Sequence, residues 1–205
     1  ALLEVYTMPK VTFYNLKEEK KQKIENAIEK ELKRNFFEKV SISSIIEDAD
    51  IPRGSFYQYF EDKDDALMYV IQKYINSSKK QIEQILIQNN GDIFKTTIDL
   101  YTKFIDRDCD ESEIKLFQNI VNKLRNENIS IFKNIHPKQE YQIYSNIDTK
   151  MLNIENEEDL DAIIRILSCI LRDKLIRVMR KKVSKEEGKK ELVNEIEILK
   201  NGMTK

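Results

Sequence analysis

Four glycines and three prolines are all that can break a helix by backbone chemistry in these 205 residues. Glycine weakens a helix through lost backbone entropy and proline by removing a donor, so their scarcity leaves long stretches free to coil. Period-two alternation is rare. Ile, Leu, Lys, Glu and Asn dominate, and apolar residues recur at three- and four-residue steps. The expectation is an all-α chain.

Residues 1–8 are set apart as a lead-in and start, with Met8 a natural first residue and Ala1–Thr7 extraneous. From Asn15 or Lys17 to about Phe37 a helix is expected, burying Ile24, Ala27, Ile28, Leu32 and Phe36. Its other face holds Lys20, Lys21, Lys23, Lys30, Lys33 and Arg34, read as solvated and paired within the helix to glutamates. Ser41 then stands where an N-cap belongs, Glu47–Ala49 close a short helix, and Asp50 falls at a turn. Pro52 suits the first position of a second short helix through Phe60, because its missing N–H is an orphan there. Phe56 and Phe60 look buried, and a third helix starts at Lys63. Two short helices joined by a tight turn form the helix-turn-helix pattern, whose second helix enters the major groove of DNA.

Beyond this head, a helix is expected over 63–88, long enough to act as a lever, with Gly91 as its C′ residue. A helical region follows from Asp92, with one apolar stripe from Ile93 to Ile105 and another from Ile114 to Leu124. Between them Asp106, Asp108 and Asp110 imitate the start of a calcium loop, but Glu111 and Phe117 stand where its glycine and bidentate glutamate belong. That segment is read as a loop or N-cap, with no metal site. Residues 126–149 suggest short helices and a loop. A helix over 157–182 is apolar on two faces, which asks for two partners, and a last helix interrupted near Gly188 runs to Gly202.

Several classes of function fall away. No apolar run approaches the roughly 18 residues of a membrane span. No secretory signal is seen, and Cys109 and Cys169 share no motif spacing and read as reduced thiols, so a cytoplasmic location without membrane partner is expected. His136 is the one histidine, and no glycine-rich phosphate loop or metal-ligand cluster is present, so the chain is expected to be no enzyme and to need no cofactor. Charge gives no help to a DNA reading: residues 17–77 carry 11 Lys and Arg against 13 Asp and Glu, a net −2.

The motif Gly54-Ser55-Phe56-Tyr57-x-Tyr59-Phe60-x-x-Lys63 nevertheless resembles the head of TetR/AcrR-type transcriptional regulators, over about Leu16 to Tyr74. Asp50 replaces the glycine usual at the turn, Pro52 a common hydroxyl residue, and Ile46 a customary small one. The resemblance implies a three-helix helix-turn-helix DNA-binding domain over 15–76, its motif at about 40–60, and a helical ligand-binding and dimerisation domain over 77–205. The implied DNA contacts are Ser41, Ser43, Arg53, Gly54, Ser55, Tyr57, Gln58, Tyr59 and Lys63, with Gln58 and then Arg53 favoured for base edges. It implies a homodimeric repressor on a pseudo-palindromic double-stranded DNA operator, released by an unknown small-molecule effector. A pocket lined from Phe94, Tyr101, Phe104, Phe117, Phe132, Tyr141 and Tyr144 is the expectation for that effector. Leu160, Ile164, Leu167, Leu171, Leu175 and Ile196 are expected at the dimer interface. A constitutive DNA-organising or protein-docking protein without effector is the alternative.

Overall fold

A computed structural model describes residues 9–107, 110–126 and 145–204, all helices, turns and loops apart from an isolated bridge between Leu152 and Thr204. Among the described residues the helices are α1 (Val11–Tyr14), α2 (Glu18–Arg34), α3 (Ile42–Ala49), α4 (Arg53–Tyr59), α5 (Lys63–Gln88), α6 (Ile93–Ile105), α7 (Glu111–Asn126), α8 (Glu157–Met179) and α9 (Lys185–Met203). They divide between two compact units, residues 1–77 with 109–127 and residues 78–108 with 128–205.

In the first unit α2 is the centre, packed by α3 and α7. It buries Ile24, Ala27, Ile28 and Leu32 as its periodicity requires. Phe36 does not join them. The helix stops at Arg34 because Asn35 turns to extended backbone (φ −128°), which leaves Phe36 half out in solvent beneath the Lys115 ammonium. The segment after the helix is held by buried polar side chains. Glu31 Oε1 accepts from Asn35 Nδ2 and from the Ser41 N–H, both at 3.0 Å. Asn119 of α7, only 2% exposed, donates to Leu32 O and Asn35 O at 2.8 Å and accepts from the Phe37 N–H at 3.1 Å. Lys115, one turn earlier, donates to Arg34 O.

A second cluster forms around Phe13, which is fully buried against Phe60, Tyr59 and Tyr69. Tyr69 donates to the buried Glu25, which also holds Lys73. Burial and then that carboxylate push the Tyr69 phenol well above its ordinary pKa.

The second unit packs α6 against α8 and α9. Its helix starts are capped locally. Asp92 Oδ1 accepts from the Phe94 and Lys95 N–H groups at 2.9 Å, and Asn156 and Ser184 each form a reciprocal capping box with Asp159 and Glu187. At the end of α5 the left-handed residue expected to be Gly91 is Asn90 (φ 53°), and Gly91 follows with φ 83°. Gly188 does not interrupt α9. It lies within the helix, where an added Cβ would run into the Tyr101 hydroxyl and reach 2.8 Å from Val178 Cγ2. Tyr101 is fully buried and donates to Lys185 O. Lys174, 4% exposed, joins α8 to α9 through Glu191 and Glu195. Burial alone would lower its pKa, but the two carboxylates outweigh it and raise it.

Candidate nucleic-acid interface

The turn between α3 and α4 is built from hydrogen bonds that need one left-handed residue. Asp50 supplies it (φ 51°, ψ 54°), a conformation that Asp tolerates better than most side chains. Its N–H reaches Glu47 O at 3.1 Å and the Ile51 N–H reaches Ile46 O at 3.0 Å, closing α3 in a Schellman arrangement, with Ile51 buried. Pro52 is the N-cap of α4, one place before the first helical position expected for it. Its ψ of 147° is extended, and its carbonyl accepts from the Ser55 N–H at 2.9 Å.

The helix α4 has two distinct faces. Phe56, Tyr59 and Phe60 point inward, and Phe56 and Phe60 pack at 5.4 Å between ring centroids. Arg53, Gly54, Tyr57 and Gln58 are exposed, with Ser55 half-buried between. At helical spacing the pairs 53/57 and 54/58 form two adjacent rows on the outward face. The Arg53 guanidinium lies 6.0 Å from the Tyr57 ring centre, and Tyr57 stays 40% exposed. No atom beyond its chain neighbours and its own helical turn would lie within 4 Å of a Cβ at Gly54.

Other expected contact residues divide. Ser43 is exposed and Ser41 is half-buried at the N-cap of α3, without a side-chain cap bond. Lys63 opens α5, its ammonium near the Phe37 and Glu38 carbonyls at 3.4 and 3.5 Å. Tyr59 is a correction. It is 5% exposed, its ring packs on Phe13 from within, and it belongs to the core of the head.

The cations of α2 are not simply solvated. Lys33 does pair within the helix with Glu29, but Lys30 and Arg34 both bind Asp48 of α3, and Lys23 binds Asp50 at the turn. The Lys30 hydrogen bond, ahead of the Arg34 and Lys30 charges, holds Asp48 below the usual carboxylate range. These pairs tie α2 to α3 and neutralise each other beside the motif.

Of the expected pocket residues, Phe94, Tyr101 and Phe104 fall in the second unit and Phe117 in the first, while Phe132, Tyr141 and Tyr144 lie outside the described residues. Tyr101 is consumed by the packing on Lys185 and Gly188. The expected dimer residues also need correction. Leu160, Ile164, Leu167, Leu175 and Ile196 are buried within a single chain, so they have no area left to give a second copy, and Leu171 is half-buried. The large apolar side chain that α8 does expose is Ile166, at 39%.

Asp110 is the N-cap of α7, accepting from the Ser112 and Glu113 N–H groups, and among the described residues no His, Cys, Asp and Glu cluster could hold a metal. Asp108, Cys109 and His136 lie outside the described residues, and Cys169 is an exposed free thiol. None of the helices described is long and apolar enough to cross a membrane. Sequence reasoning left residues 9–14 unassigned and missed Asn119. A usable signal for the former is the pair Phe13-Tyr14, bulky aromatics that a segment with no structure of its own would leave in solvent.

Comparison with known proteins bears on the whole chain. Residues 92–203 match the model of the tetracyclin repressor-like C-terminal domain. An HTH-type transcriptional regulator of Staphylococcus aureus (strain bovine RF122 / ET3-1) is 31% identical over 88 residues, covering 42% of this chain. The chain spans about half the length of that curated relative, 48%. A crystal structure of a TetR family transcriptional regulator from Chloroflexus aurantiacus J-10-FL superposes with a TM-score of 0.51 over 97% of this chain and 99% of that one, at 22% identity, a likeness of fold. With a family domain spanning more than half of its length, the chain belongs to the TetR family of transcriptional regulators.

Proposed function

We propose that this chain regulates transcription by binding double-stranded DNA sequence-specifically, with α4 as the reading helix in the major groove. The observation that carries this is the outward face of α4: Arg53, Gly54, Tyr57 and Gln58 exposed together over an inner face of buried aromatics. A glutamine amide can pair in bidentate fashion with adenine, and an arginine with guanine. Tyr57, Ser43 and Lys63 suit phosphate oxygens, which fix orientation without reading sequence. In this reading the protein acts as a homodimer on a pseudo-palindromic operator, and the exposed Ile166 with its half-buried neighbours Ile170 and Leu171 suits a second copy. Its action is that of a repressor released by a small molecule in the second unit, which must bind the DNA-incompetent conformation more tightly.

Selection from a random double-stranded DNA pool, followed by gel shifts on the enriched sequence, tests the proposal. The expected sequence contains two related half-sites spaced by about one helical turn or a multiple of it. Gln58→Ala should cost about 1–3 kcal/mol and flatten the preference at one position of each half-site. Enrichment of no sequence would sink the proposal.

A further inference from the structure

The last turn of α4 is closed from outside the helix-turn-helix. The final four carbonyls of a helix lack a donor of their own, and in a helix of seven residues these are most of the acceptors. Three of them are taken by two residues that precede α2. The Lys10 N–H donates to Tyr59 O at 2.8 Å, the Lys10 ammonium donates to Tyr57 O at 3.0 Å, and the Thr12 hydroxyl donates to Gln58 O. The ammonium also meets Glu61 Oε2 at 2.8 Å, and as a cation at a helix C-terminus it sits where the backbone dipoles favour it. Phe13 fixes the segment, its ring 5.0 Å from Phe60 and 5.1 Å from Tyr69.

We propose that Lys10 and Thr12 are positioning residues for the reading helix. A helix this short cannot maintain its last turn alone, because nucleation is costly and few bonds repay it. The carbonyls that Lys10 and Thr12 hold belong to Tyr57 and Gln58 themselves. Fixing that backbone fixes the direction in which the two exposed side chains leave the helix, and with it the bases they meet. Phe13 supplies the anchor, and the two polar side chains supply the register. The proposal rests on the DNA-binding reading above.

The test uses the full-length chain with Lys10→Met, Thr12→Val, the double variant, and Thr12→Ser as the conservative control. Two measurements are made: affinity and base preference on the sequence that the wild type selects from random double-stranded DNA, and amide exchange at Phe60, whose N–H bonds Phe56 O. Each disruptive single variant is expected to bind about five- to tenfold more weakly, the scale of one net hydrogen bond. Preference at the position read by Gln58 should flatten, Phe60 should exchange faster, and Thr12→Ser should behave as wild type. Unchanged base preference with unchanged Phe60 exchange overturns the proposal, as does Thr12→Ser failing like Thr12→Val. Should the double variant lose its helicity, the single variants decide. If the wild type selects no sequence, the proposed function falls and Phe60 exchange alone decides the clamp: faster exchange supports it, and no change overturns it.

Discussion

The helices of the second unit and the first four helices of the first unit are closed in different ways. In the second unit the starts of α6, α8 and α9 are capped by Asp92, Asn156 and Ser184, each reaching an N–H within three residues of itself. In the first unit α5 and α7 also start on local caps, Asp62 accepting from the Asp65 N–H and Asp110 from the Glu113 N–H, but α1, α2, α3 and α4 have no side-chain N-cap bond. Their ends are met from far along the chain instead: the end of α2 by Asn119 and Lys115, the start of α3 by Glu31, and the end of α4 by Lys10 and Thr12. A helix with local caps carries its own boundaries. One closed at a distance acquires them only when the tertiary structure forms, so its geometry answers to residues far from it.

Three substitutions can break or sharpen that contrast. Asn119→Ala removes a buried amide serving three backbone groups and should cost the most, about 3 kcal/mol in urea denaturation, because Leu32 O, Asn35 O and the Phe37 N–H lose their partner together. A cost below about 1 kcal/mol would mean that closure at a distance is incidental. Gly188→Ala probes a long-range contact in the locally capped unit, where two effects oppose. Alanine gains roughly 1 kcal/mol of helix propensity, whereas its methyl meets the Tyr101 hydroxyl and Val178 in a filled core. Overpacking should win by about 1–2 kcal/mol, seen as a lowered thermal midpoint, and a raised midpoint would show that Tyr101 yields freely. Ser184→Ala should be the mildest, about 1 kcal/mol, with faster amide exchange confined to the first turn of α9. Loss of protection spreading into α6 would contradict the local character of that cap.

The same contrast explains what could be read from the sequence. Periodicity located α2, the long α5 and the stripes of α6, α8 and α9, because a buried face leaves a repeat that needs no partner to be seen. Asp50 was legible since few residues accept its backbone conformation, and Asp110 because an acid before a helix has a local reason to be there. Asn119 was not legible. An amide that bonds residues over 80 positions away has no spacing to betray it. Tyr59 stands three residues after Phe56 and so shares its inner face, whereas Tyr57 does not, and Phe13 covers the Tyr59 ring there. The dimer residues failed for a related reason: a helix apolar on two faces announces two partners without saying which face meets which, and the stripe chosen was the one its own chain covers.

Gly54 deserves a final consequence. Its backbone is ordinary helix, and a methyl group added there would touch nothing. Alanine would be favoured by less than the roughly 1 kcal/mol it gains in a helix interior, since Gly54 is the second residue of α4, and no packing among the described residues opposes it. Glycine at this position is therefore a small sacrifice of fold stability without internal return. The clearance it leaves lies on the row shared with Gln58, so the outward face of α4 has room there for a surface to come closer than a methyl group would let it.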